Sequence, residues 1–153
     1  MNLVDPDIVS NFVEWKDANK DNFTWWSYVN IKSDIQGALA FANFFCPEII
    51  IKDNCILLKD HFNQKNYDDW KERLNGDKTQ IEKIMNIYEI QDFFHIHSDT
   101  NDPFYNEQIK ALAKSIQFYW SLTLQHNHPD KNIIVSVFEE YDALCITVYG
   151  GLE

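Results

Sequence analysis

The chain has 153 residues, of which 45% are apolar, 15% aromatic and 24% charged, enough to close a sizeable hydrophobic core without help from disulfides or metal. Thirteen Lys and Arg stand against 24 Asp and Glu, a net charge of -11, and Arg73 is the lone arginine. No helix-length segment carries the cationic excess that phosphate neutralisation requires, which excludes a nucleic-acid binder of the usual kind and disfavours an anionic membrane surface. An acidic surface suits a basic protein partner instead, and it also serves solubility alone.

Taken in chain order, Asp5-Pro6 reads as an N-cap with proline at the first helical position, and Ile8, Phe12 and Trp15 recur at helical spacing to about Asn19. A polar break at Lys20 to Asn22 leads into Phe23 to Tyr28, dense in aromatics, with Trp25 and Trp26 adjacent. Ser33 with Gln36 forms a capping-box pattern that opens a helix through Ile35, Leu39, Ala42 and Phe45, stopped by Pro47. Two β-branched apolar runs, Ile49 to Ile51 and Cys55 to Leu58, flank Asp53-Asn54 and predict a hairpin. Tyr67, Trp70 and Leu74 predict a helix capped by Gly76, and Thr79 with Glu82 opens another through Ile81, Ile84, Met85 and Tyr88. Residues 93–97 fit either an extension of that helix or a short strand.

Asp102-Pro103 repeats the opening signal and precedes the longest periodic stretch, Ile109, Leu112, Ile116, Trp120 and Leu124, which predicts the central helix of the core. Its apolar face is expected to pack on a sheet containing Ile133 to Val137 and Leu144 to Val148. Asn132 to Phe138 and Ala143 to Tyr149 alternate with period two, joined by Glu139-Glu140-Tyr141-Asp142 as an acidic turn. With four Gly and four Pro in all, nothing marks a linker or repeat, so residues 1–153 read as a single domain. The order predicts an α+β fold: two β-hairpins in a mostly antiparallel sheet covered by about five helices.

The sharpest chemical candidate is His95-Ile96-His97-Ser98-Asp99, since two histidines two apart on a strand share a face and could hold a metal with Asp99 as a third ligand. His126 and His128 repeat the spacing. Neither pair is accompanied by an HExxH or CxxC pattern, and histidines at element ends are commonly solvated or capping, so the expectation is no metal and no cofactor. There is no Gly-x-Ser-x-Gly elbow and no glycine-rich phosphate loop. Cys46, Cys55 and Cys145 sit among apolar neighbours and read as small buried hydrophobes. Met1 to Asp7 lacks a basic and apolar leader, and apolar runs fall far short of the roughly 20 residues of a membrane helix, which together predict a cytoplasmic protein.

Three segments, Ala38 to Glu48, Asp53 to Leu58 and Ile84 to Phe94, carry a pattern of a helix ending in an aromatic and proline, a hairpin with an Asn-Cys turn, and a Met-Asn segment before a Phe. In this the chain resembles a family of small uncharacterised bacterial proteins, some of immunity-protein type, whose two histidine positions fall here on Ile87 and Glu89. The resemblance implies a shared fold and a role beside toxin or contact-competition genes.

The functional expectation is a non-enzymatic, acidic protein-binding module, an immunity or antitoxin-like protein that neutralises a basic toxin domain, with a nuclease as the natural case. Its partner-binding candidates are Glu139, Glu140, Tyr141 and Asp142 at the acidic turn, and Trp25 and Trp26, of which one is expected to face a partner. The alternatives are a small metal-dependent enzyme built on His95, His97 and Asp99, and an acidic mimic of DNA.

Overall fold

The computed structural model describes residues 2–152; Met1, where the segment read as lacking a leader begins, lies outside them, as does Glu153. Asp5 accepts from the Asp7 amide and Pro6 opens a single 3-10 turn, after which the chain restarts as helix α1, Ser10–Asn19. The aromatic run is itself a helix, α2, Trp25–Lys32, because Thr24 and Ser27 close a reciprocal capping box. Ser33 therefore ends α2, and Asp34, accepting from Gly37, opens α3, Ile35–Phe45.

The first hairpin has the expected register, with β1, Ile49–Lys52, pairing antiparallel with β2, Cys55–Leu58. Asp53 and Asn54 both take positive φ, the two-residue loop that matches the twist of the strands. Helix α4, Gln64–Arg73, and helix α5, Lys78–Met85, follow, separated by Gly76 at φ +74. A two-residue strand β3, Tyr88–Glu89, precedes the long helix α6, Tyr105–Asn127, and the second hairpin pairs β4, Ile133–Glu140, with β5, Ala143–Gly150. The result is an α+β fold with six α-helices and two antiparallel sheets among the described residues, β1-β2 and β3-β5-β4.

The main core lies between α6 and the strands. Ile116, Trp120 and Leu124 on α6 are buried with Val135 of β4, Ile146 and Val148 of β5, and Ile56 and Leu58 of β2. A second cluster places Tyr67 of α4 and Ile81 and Met85 of α5 against Cys55 and Leu57 on the other face of β2. All four β2 residues are consequently buried, and the strand divides the two clusters.

The two hairpins do not fuse into one sheet, and α5 is the reason. Thr79 does not cap this helix; Asp77 does, accepting from Gln80, which frees Glu82 from the expected capping box. Glu82 is fully buried, its Oε1 accepting from the Ile56 amide at 2.7 Å and its Oε2 from the Gly150 amide at 2.8 Å. One turn on, Asn86 accepts from the Leu58 amide and donates to the carbonyls of Ile56 and Val148, each at 2.8 Å. Side chains of one helix thus occupy the hydrogen-bonding edge of β2 that a strand would otherwise take, and tie β2 to β5.

Candidate functional site

The acidic hairpin tip is tighter than the sequence suggests. Glu139 and Glu140 belong to β4, opposite Leu144 and Ala143, and the loop is only Tyr141-Asp142, both at positive φ. Consecutive strand residues face opposite sides of a sheet, so Glu139 and Glu140 do not share a face. Glu139 and Asp142 line a shallow cleft with Gln91, Asn106 and Lys110. Tyr141 stands clear of that cleft at 95% exposure. A bulky side chain at φ +47 is uncommon, since this backbone region favours Asn, Asp or Gly.

Trp25 and Trp26 part company as helix geometry requires. Trp25 stacks on Phe12 at 3.9 Å between ring centroids and joins Trp15, Phe23 and Tyr28 in a cluster that holds α1 against α2. Trp26 points away and is 80% exposed. Neither tryptophan lines the cleft at the hairpin tip, so the structure does not bring the two sets of candidates into one site.

The larger surprise is α3. Its sequence is the most apolar of the helices, yet none of its residues is buried. Phe44 packs against Phe93, Phe94 and Trp120, and Phe45 against Tyr119. Trp120 donates through Nε1 to the Phe44 carbonyl at 2.8 Å, and Thr123 donates to that of Phe45. These contacts fix the C-terminal turn on α6 and leave the other side of the helix open. On that side Ile35, Leu39, Ala42 and Cys46 follow one another at spacings of four, three and four, with Ile35 80% and Leu39 65% exposed. The helix expected through Ile35, Leu39, Ala42 and Phe45 is present, but of these residues only Phe45 packs on the core; with Phe44 it makes the contact to α6, and Ile35, Leu39 and Ala42 stay exposed. Cys46 is likewise exposed, whereas Cys55 and Cys145 are buried and burial raises the pKa of both thiols.

The stripe continues onto α2, where Val29 meets Ile35 and Ala38 around a concavity at the α2–α3 junction. Between Phe23 and Pro47 the only charged side chains are Lys32 and Asp34. Periodicity shows which residues share a face but not which of two apolar faces is covered, so the signal was in the sequence and its sign was not. The missed clue is composition: α3 carries Phe41, Phe44 and Phe45 on one side and Ile35, Leu39 and Ala42 on the other.

The histidine segment is neither helix nor strand. Residues 93–97 form irregular turns, with the His95 ring bonded to the Asp92 carbonyl at 2.7 Å, so the strand alternation that would align His95 with His97 does not exist. His126 lies in the last turn of α6 and His128 caps it. Among the described residues, no group of three or more His, Cys, Asp or Glu side chains converges as metal ligands. No described helix is long and apolar enough to cross a membrane. Compared with protein-family models, with curated proteins and with solved structures, the chain matches none.

Proposed function

We propose that this protein is a binding module for a basic protein partner, and that the partner docks on the apolar stripe of α2 and α3. The observation that carries the reading is the stripe itself: Trp26, Ile35 and Leu39 lie exposed on a nearly uncharged face of a chain whose net charge is -11. Contiguous exposed apolar surface of this kind marks interaction sites, and a large aromatic at its edge is the usual form of a binding anchor. Charge chooses the occupant. Two copies of a chain at -11 repel each other on approach, whereas a basic protein is drawn in. Glu139, Glu140 and Asp142 then act at a distance, raising the association rate rather than supplying the contact. The resemblance to small bacterial proteins of immunity type makes a basic toxin domain, with the present chain as its neutralising partner, the first case to test.

The experiment is binding of a basic toxin domain encoded beside this chain's gene, measured for the parent and for an Ile35→Asp/Leu39→Asp variant. The expected result is at least a tenfold loss of affinity with unchanged melting. Parental affinity in the variant would overturn the docking face. A concentration-dependent dimer of the parent that the same variant dissolves would reassign the face to self-association.

A further inference from the structure

Where the C-terminal end of α3 meets the core, four aromatic rings form a closed circuit. Phe44 neighbours Phe93 at 5.0 Å between centroids, Phe93 neighbours Tyr88 at 5.1 Å, Tyr88 neighbours Trp120 at 6.3 Å, and Trp120 returns to Phe44 at 6.4 Å. Together they border a small surface cavity of about 80 Å³. That is far below the several hundred Å³ of a typical drug-sized pocket and suits a single small head group. Two carboxylates, Glu48 and Asp60, complete its lining.

Glu48 is engaged by Lys59, whereas Asp60 takes part in none of the ion pairs among the described residues. Elsewhere the protein covers its rings with its own cations: Lys16 lies over Phe12, Lys32 over Trp15 and Tyr28, Lys52 and Lys71 over Tyr67, Arg73 over Trp70, and Lys83 over Tyr149. None of these described cations reaches the four rings of the circuit. Asp60 forms no direct ion pair among the described residues, although the Lys59 ammonium bound to Glu48 lies within its field. Aromatic walls with a carboxylate at the mouth are the chemistry that selects an alkylammonium, because ring quadrupoles attract a cation that has shed water and the carboxylate supplies the countercharge.

We propose that this cavity is a socket for one alkylammonium head group, presented by a lysine side chain of the partner that lies along α3. The inference rests on the docking reading above and deepens it. Asn43 and Phe44 at the end of α3 belong to the socket wall, so the socket lies beside the C-terminal turn of the helix, around its circumference from the Ile35–Leu39–Ala42 stripe. A partner that covers the stripe and reaches round the end of α3 gains both apolar area and a register-fixing anchor.

The test needs no partner and is therefore independent of the docking face. The full chain is titrated, at constant ionic strength, with Nα-acetyl-lysine methylamide, with tetramethylammonium, and with the neutral isostere 3,3-dimethyl-1-butanol, reading the indole N–H resonance of Trp120 and the ring resonances of Tyr88. Expected is a saturable response to both cations at least threefold tighter than to the alcohol, and a threefold or greater weakening in Asp60→Asn, an exposed position whose replacement leaves the core intact. A response to tetramethylammonium without one to the lysine amide overturns the lysine assignment. Equal response to the alcohol, no response to either cation, or full cation binding by Asp60→Asn overturns the socket.

Discussion

The α5 helix and the α3 helix break the simple rule of polar outside and apolar inside in opposite ways. Helix α5 buries a carboxylate and an amide completely, and every strong bonding atom of Glu82 and Asn86 is matched to a backbone group of β2 or β5. Helix α3 leaves Ile35 and Leu39 in water with nothing over them. A buried polar group is tolerated only when its partners are built in, so the α5 network closes a structural account within one chain. An exposed apolar face lacks that closure, and it is the feature for which an occupant is sought. The -11 charge resides in neither region, since α3 carries no charged side chain and α5 carries Lys78, Glu82 and Lys83, so it identifies neither as a site.

The comparison can be broken first at α6, which holds α3 on one side and packs on the strands that α5 ties together on the other. Trp120 is buried, bonds α3 through its indole N–H and packs on the sheet core, so Trp120→Ala should cost roughly 3 to 5 kcal/mol by chemical denaturation. A variant that melts like the parent would remove α6 from the centre of the fold.

Glu82→Ala probes the α5 region alone. It orphans the buried amide of Ile56 and the amide of Gly150, and with each orphaned donor worth about 1 to 3 kcal/mol the expected loss is about 2 to 6 kcal/mol. Glu82→Gln retains one acceptor and should fall between the two, a rank order that urea titrations resolve. If Glu82→Ala were neutral, the stitching of β2 to β5 would not be structural.

At the hairpin tip the sign reverses. Tyr141→Asn relieves a bulky side chain from φ +47 and should raise stability by about 1 kcal/mol, visible as a higher midpoint. On α3, Leu39→Asp removes little intramolecular packing and is expected to shift stability by about 0.5 kcal/mol or less, in contrast to any polar substitution at Ile116. A large loss would show that the stripe is covered within the chain itself.

The smallest effect concerns His61, whose ring meets Tyr88 edge-on at 4.2 Å and whose pKa is lowered by burial. Since the folded state binds this proton less readily than the unfolded state, the His61 contribution is fully present above about pH 6.5 and is lost as pH falls through the lower folded value. Its exposure keeps the amplitude under about 0.5 kcal/mol, and His61→Gln should flatten that part of the stability profile. In an NMR titration the imidazole midpoint should lie below that of a free histidine side chain; a midpoint above it would contradict the partial desolvation of this ring against Tyr88.

Local patterns were legible wherever the physics is local. The Asp53-Asn54 turn, the helix around Tyr67 and Trp70, and the periodic face of α6 were all readable, because turn dihedrals and helical spacing are set by residues within a few positions of each other. The capping of α2 by Thr24 and Ser27 was present in the sequence as well, but a run of aromatics masked it. The hairpin tip was misjudged by two residues: Glu139 and Glu140 satisfy the β4 ladder, and the acidic string hid the two-residue loop within it.

What the sequence by itself determined is the α+β class, the two hairpins, the long core helix and an acidic surface, since composition and short-range periodicity carry that information. Tertiary structure alone decided that Glu82 turns inward as a substitute for a strand edge and not outward as a helix cap, because its partners at Ile56 and Gly150 lie 26 and 68 residues away. It also decided which face of α3 meets α6. Phe44 and Phe45 compete there with Ile35, Leu39 and Ala42 for one contact, and only the shape of the surface already built by Trp120, Tyr119 and Phe93 selects the rings that interlock with it. The aliphatic stripe is left to solvent by that choice, and it is the face on which the proposed docking rests.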